Sequence, residues 1–252
     1  MNQSLATHYD AKYAREPHAD RANQLVVPGR VPRNRFEACV RNFPHHFAGA
    51  DVLELGAGSG NVALSLLMAG LDCRSYTVSE TSEVRLEGLR RRLDDPRVRV
   101  DCIDAECVPE ELFGRFDAVI MIALIEHLVD PLGALLRIRR LLRPGGFVYL
   151  DTPNVAKWTR RLKLLAGRFP STSSREEGLV GYDGQPAALH DEGHLHYFTY
   201  RSLSRLLLER CGFASLVKCP YAVGGRLGAP ISGALARLWP ELFAEVCLVA
   251  RV

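Results

Sequence analysis

Charge of one sign is scarce in this chain: 32 lysines and arginines stand against 29 aspartates and glutamates, leaving a formal net charge of only +3. A protein that grips nucleic acid shows a strongly basic stripe, so no nucleic-acid partner is expected. Paired cysteine motifs are also missing. The seven cysteines (39, 73, 102, 107, 211, 219 and 247) are odd in number, scattered and never spaced C-x-x-C. That excludes a simple disulfide framework and predicts reduced core thiols in a cytoplasmic protein. Long hydrophobic runs are absent too, the longest being 118–125, whereas a membrane-spanning helix needs about 20 apolar residues. The first ten residues lack a charged stretch followed by an apolar core, so no secretory signal is expected.

What is present is the composition of an ordinary α/β domain, with 47% apolar and 24% charged residues in 252. Arginines cluster at 90–92 and at 137, 139, 140 and 143, on segments expected to be helices with solvated outer faces. The chain is organised around residues 51–60, Asp-Val-Leu-Glu-Leu-Gly-Ala-Gly-Ser-Gly, an apolar strand that breaks into alternating glycines and opens a helix. Such a turn lies at the carboxyl end of a strand, where open α/β sheets bind small molecules. The dinucleotide fingerprint G-x-G-x-x-G would want its third glycine at position 61, which holds Asn61. An NAD-dependent oxidoreductase is the rival reading at this stage.

The strands that follow carry acids at their ends. A second strand at 73–79 leads to Glu80-Thr81, and a third at 98–103 leads to Asp104-Ala105-Glu106. A carboxylate after the second strand suits both ribose hydroxyls of an adenosine. An isolated Asp after a strand is ordinarily only a cap. The fourth strand is the apolar run ending at Ile122, and Glu126-His127-Leu-Val-Asp130-Pro131 comes next, with Asp130 a helix cap and Pro131 its first turn. That helix ends at Leu142-Arg-Pro-Gly-Gly146, before a fifth strand at 147–151.

The spacing Glu54-x-Gly56-x-Gly58-x-Gly60, then Phe116-Asp-x-Val, Glu-His-Leu-x-Asp-Pro and Leu-Leu-Arg-Pro-Gly-Gly, resembles the class I S-adenosylmethionine (SAM) methyltransferases. The likeness is to the small-molecule type, close to ubiquinone-type and sugar-type O-methyltransferases, and it covers roughly residues 50–155. It implies a Rossmann-like sheet of seven mostly parallel strands, the last antiparallel, with helices on both faces. It also implies a helical N-terminal cap over residues 1–48, with a helix near 34–46, and a SAM domain over 49–252 that carries a lid insertion at 154–200. The cofactor contacts implied are Glu54, Gly56, Ala57, Gly58, Gly60, Glu80, Thr81, Asp104, Ala105, Glu106 and Ile122. Two positions depart from the usual pattern: Glu80 is more often Asp, and Ile122 with Ala123 is often polar.

The expected reaction is methyl transfer to a hydroxyl of a small acceptor such as a sugar, a quinone precursor or another secondary metabolite. N- or C-methylation, or a SAM-binding subunit without catalysis, are the alternatives. Histidine suits removal of a hydroxyl proton, and the candidates are His127, His194 and His196. His190-Asp191-x-x-His194-x-His196 also has ligand types for a metal, but Ile122 and Ala123 supply no carboxylate at the strand end, and none is expected. Residues 154–169 hold five basic residues and no acid, with Trp158, Leu162, Leu165 and Phe169 on one helical stripe. Packing on the domain is the expected use of that stripe, docking of a protein or an anionic membrane surface the alternatives.

Overall fold

The computed structural model describes residues 10, 14, 32, 34–42, 48–173, 177–178, 190–222 and 229–252. Most of the expected N-terminal cap and much of the expected lid, with His190's side chain, lie outside them. Helix α1 (Arg35–Asn42) precedes β1 (Ala50–Leu55), and α2 (Asn61–Met68), β2 (Cys73–Ser79), α3 (Glu83–Arg92) and β3 (Val98–Asp101) follow. The chain continues through β4 (Phe116–Ile122), α4 (Pro131–Leu141), β5 (Leu142–Pro153), α5 (Trp158–Leu165) and α6 (Tyr200–Arg205). It ends with β6 (Ser215–Lys218), α7 (Ala229–Leu238) and β7 (Glu245–Arg251).

The sheet order is β3-β2-β1-β4-β5-β7-β6, and β7 runs antiparallel to both of its neighbours. The order reverses between β1 and β4, which opens a crevice beyond their carboxyl ends. Strand period explains why both faces are dry. In β4, Val119 and Met121 join the core beneath α4 and α6, while Ala118 and Ile120 join the core shared with α1 and α2. At the opposite end of the sheet, Arg143 bonds Asp51 at 2.8 Å and Asp117 at 2.6 Å.

Several expectations are corrected. Arg143 is thus an ionic tie between β1 and β4, not part of a solvated face. The helix that begins at Tyr200 is α-helical only to Arg205, and residues 206–210 widen into a π-turn. Cys39, Cys73, Cys211 and Cys247 are buried as expected, but Cys102 and Cys107, in the loop after the edge strand β3, are exposed. Of the stripe at 154–169, Phe169 packs inward, edge to face on Tyr197, while Trp158, Leu162 and Leu165 face solvent.

Candidate active site

The glycine turn is shaped by what stands around it. A Cβ on Gly56 would come within 2.9 Å of Leu124, and one on Gly60 within 2.6 Å of Leu89, so these two glycines are needed for packing. A Cβ on Gly58 would meet nothing within 4 Å: it opens on the crevice. The turn is pinned by the Ala57 N–H donating to the Ser79 carbonyl at 3.0 Å, and by Arg92 donating to the Ser59 carbonyl at 2.6 Å. Arg92 is therefore a brace for the loop, a role its place in an arginine run did not suggest.

Glu54 sits beneath the turn, buried, accepting from the Tyr76 hydroxyl at 2.7 Å. Burial pushes its carboxyl up to about 7 against the Tyr76 bond and the Ala63 N–H. Its job is to hold β1 to the start of α2, with no face on the crevice. Glu80 does reach the turn, accepting from the Gly58 N–H at 3.0 Å and from the Thr81 N–H at 2.8 Å. Asp104 accepts from the Glu106 N–H at 2.9 Å, and Glu106 in turn accepts from the Asp130 N–H at 2.6 Å, tying the loop after β3 to the loop after β4. Ala105 and Ile122 are buried at the ends of β3 and β4.

These residues suit an adenosine-bearing cofactor. The space at Gly58, the half-exposed Glu80 carboxylate on its N–H, and the buried, unpartnered Oδ1 of Asn61 at the start of α2 form a polar cradle. No dinucleotide-type third glycine contributes to it.

Beyond β4 the chain turns through Ala123, whose φ of 53 is left-handed without being glycine. Such strain persists where surrounding contacts impose it and is common at functional sites. The turn sends Glu126 inward, 1% exposed, with Thr152 donating to its Oε2 at 2.9 Å and its Oε1 unpartnered. Burial pushes Glu126 up to about 7, opposed by Arg35 of α1. Arg35 stands 3.9 Å from both Glu126 and Asp151 and bonds Glu245 at 3.2 Å. Asp151 is wholly buried, bonded by Tyr221 at 2.7 Å, and raised well above the carboxylate range by burial and by Glu245.

His127 and His194 meet edge to face over this cluster, ring centroids 4.7 Å apart. His127 Nδ1 lies 3.1 Å from the Gly193 carbonyl, which can only accept, so that nitrogen carries a proton. His194 Nδ1 lies 2.6 Å from Thr172 Oγ1, which lies 3.3 Å from Asp191. With Thr172 donating to the carboxylate, His194 donates from Nδ1, and its Nε2 is the basic atom. Burial, then the neighbouring His127, pushes His194 down to about 4, so it is neutral at physiological pH.

Asp191 is a clasp. Burial would raise it, but Ser171, Ser173 (2.6 Å), Tyr197 (2.9 Å) and the Thr172 N–H hold it well below the ordinary carboxylate range. Asp191 and Glu192 adopt left-handed φ values of 46 and 56 to deliver it. Arg160 of α5 supports the other side, donating to the Ser171 and Thr172 carbonyls at 3.0 and 2.8 Å.

His196 does not join the pair; its Nε2 lies 3.4 Å from the Val129 carbonyl. Among the described residues, the group whose atoms can converge on a metal is Glu126, His127 and His194, within 4.8 Å of one another. Of the His190–His196 run only His194 belongs to this group among the described residues, Asp191 being taken up by hydroxyls and His196 lying at the Val129 carbonyl. Arg35, Asp151, Thr172 and Tyr221 were not expected at the site. Only Asp151, a charge ending an apolar strand, carried a signal in sequence.

Residues 30–217 match the family described as "Methyltransferase domain". The chain is similar to the ubiquinone biosynthesis O-methyltransferase of Pseudomonas aeruginosa strain LESB58, 35% identical over 109 residues, covering 42% of this chain and 46% of that protein. It is also similar to the protein of that name from Chromobacterium violaceum, 29% identical over 107 residues with the same coverage. The chain thus spans about half the length of the curated relatives it matches. Among solved structures, one of the Haloferax volcanii Trm112 methyltransferase activator in complex with a methyltransferase aligns with a TM-score of 0.62 at 16% identity, covering 96% of each chain. The Burkholderia thailandensis 1,6-didemethyltoxoflavin-N1-methyltransferase, solved with its ligand and S-adenosylhomocysteine, aligns at 0.58 and 19%, covering 98% and 87%. Those identities speak to the fold, and the family match speaks to the cradle: this chain belongs to the methyltransferase-domain family, as a class I SAM-dependent methyltransferase.

Proposed function

We propose that this protein moves the methyl group of SAM to a hydroxyl of a small-molecule acceptor, in a reducing cytoplasmic setting suited to its free thiols. The observation that carries the reading is the pair of imidazoles, 4.7 Å apart, with His194 neutral, beside a glycine turn that touches the same loop through Gly56 and Leu124. SAM supplies a methyl on a positively charged sulfonium. The chain must aim an acceptor oxygen in line with it, exclude water and take the hydroxyl proton.

His194 is the base this reading favours, with Thr172 and Asp191 fixing its tautomer and His127 beside it. As the carbon–oxygen bond forms and the carbon–sulfur bond breaks, the hydroxyl proton passes to Nε2, and S-adenosylhomocysteine leaves. Relatives named O-methyltransferases, matched over 42% of this chain, support an oxygen acceptor.

The test is transfer of a deuterated methyl from SAM to a panel of phenols, sugars and matched amines, followed by mass spectrometry. Oxygen-linked label on a hydroxylated acceptor is expected. Label found only on the amines would overturn the assignment. His194→Ala should lower turnover by about 10²- to 10⁴-fold with SAM affinity held, and unchanged turnover removes it from the chemistry.

A further inference from the structure

The methyl-transfer site leaves two stripes of exposed apolar surface unexplained. On α5, Trp158, Leu162 and Leu165 lie at helical spacing and are 54%, 56% and 85% exposed. On α7, Ile231, Leu235 and Leu238 repeat that spacing, and Trp239 follows at 61% exposure. Helices of a folded domain ordinarily turn such a stripe inward. Here α5 is anchored by its polar side instead, through Arg160 on the Ser171, Thr172 and Asn154 carbonyls. The ends of the two helices are linked: the Glu241 carbonyl accepts from Asn154 at 3.0 Å and from Arg161 at 3.5 Å.

The surrounding charge says what can cover this surface. Residues 154–169 contain five cations and no acid. Beside α7, at the β6 edge, a cavity of about 550 Å³ is lined by Lys218, Arg237 and Arg251 and, among the described residues, by no carboxylate. Lys218 bonds Glu241 at 2.6 Å, and the acids on these segments do not balance the cations. A second copy would set two cationic rims against each other. Tryptophans and leucines bordered by lysine and arginine are instead complementary to the boundary between headgroups and acyl chains of an anionic bilayer.

We propose that α5 and α7 form a docking surface for an anionic phospholipid membrane, with the apolar stripes entering the headgroup boundary and the flanking cations meeting lipid phosphates. Arg160 joins this surface to the Thr172 wall of the active site, so docking sets the acceptor side close to the bilayer. The inference does not depend on which atom is methylated.

The full chain is sedimented with vesicles of phosphatidylcholine alone and of an equimolar mixture of phosphatidylcholine and phosphatidylglycerol. Binding to the mixed vesicles, release by high salt and little binding to phosphatidylcholine are expected. Lys163→Glu with Arg237→Glu should weaken partitioning by about fivefold or more per charge removed. Leu165→Glu with Leu238→Glu should weaken it at least as much. Leu165, Arg237 and Leu238 are exposed and Lys163 is half-buried, and an unchanged melting temperature will show the variants folded. Equal pelleting with both vesicle types, no pelleting with either, or a parent dimer that the leucine variants dissociate would each overturn the proposal.

Discussion

The cofactor cradle and the acceptor wall meet at one edge of the sheet, yet their residues come from very different distances along the chain. The cradle is assembled from the ends of β1, β2 and β3, within residues 54–106. The wall draws Arg35 from α1, Glu126 and His127 after β4, Asp151 from β5, Thr172, the Asp191–His194 turn, Tyr221 and Glu245. The cradle is mostly backbone geometry set by glycines. The wall is a network of buried charges in which two carboxylate oxygens, on Glu126 and Asp151, lack hydrogen-bond partners. Both face Arg35 at 3.9 Å, and buried charges held at that distance without a hydrogen bond are costly, so the wall stores free energy where the cradle stores shape. Cofactor binding and acceptor chemistry should therefore respond to different substitutions.

The sharpest break between the two halves is expected at Gly58. Gly58→Val adds branched bulk on the open side of the cradle and strains a φ of 57, and it should abolish SAM binding in calorimetry. Retained affinity would mean that the cofactor lies elsewhere. Gly60→Val is the internal contrast: its Cβ meets Leu89, and the loss should appear as a lowered melting temperature.

Glu126→Gln should act through pH. Burial raises the Glu126 carboxyl to about 7, so the folded state holds a proton that the unfolded state has released between about 4.5 and 7. The parent therefore loses stability as pH rises through that window. The glutamine variant has no such ionisation. Its stability relative to the parent should grow across the window by on the order of 3 kcal/mol, followed by denaturant unfolding. A difference that does not change with pH would show that Glu126 ionises normally.

The smallest effect is expected for Glu80→Ala, which removes the acceptor of the Gly58 N–H and one wall of the cradle. SAM affinity should fall by about 1 to 3 kcal/mol, with turnover at saturating cofactor near that of the parent. A large fall in saturated turnover would place Glu80 in the acceptor half instead.

Much of the cradle was legible in sequence because its signals are local: a strand, alternating glycines, and an acid at the end of each following strand. Even there, Glu54 and Arg92 needed the fold to assign them. Glu54 faces under the turn because it alternates with Leu53 and Leu55, and Arg92 reaches Ser59 only once α3 packs beside α2. His127 and His194 were legible as residue types suited to proton transfer. Their pairing was not, since 66 residues separate His127 from its Gly193 partner.

Sequence by itself determined the apolar strands and the place of the glycine turn, because periodicity and turn chemistry act over a few residues and are written there directly, while the antiparallel last strand was implied only by the family resemblance. Only the tertiary structure decided that Asp191 would be spent on Ser171, Ser173 and Tyr197, that Arg35 would stand among three carboxylates, and that the α5 stripe would face outward. Those outcomes depend on which distant segments are buried together and on how each buried charge finds a partner, a competition that no local pattern encodes.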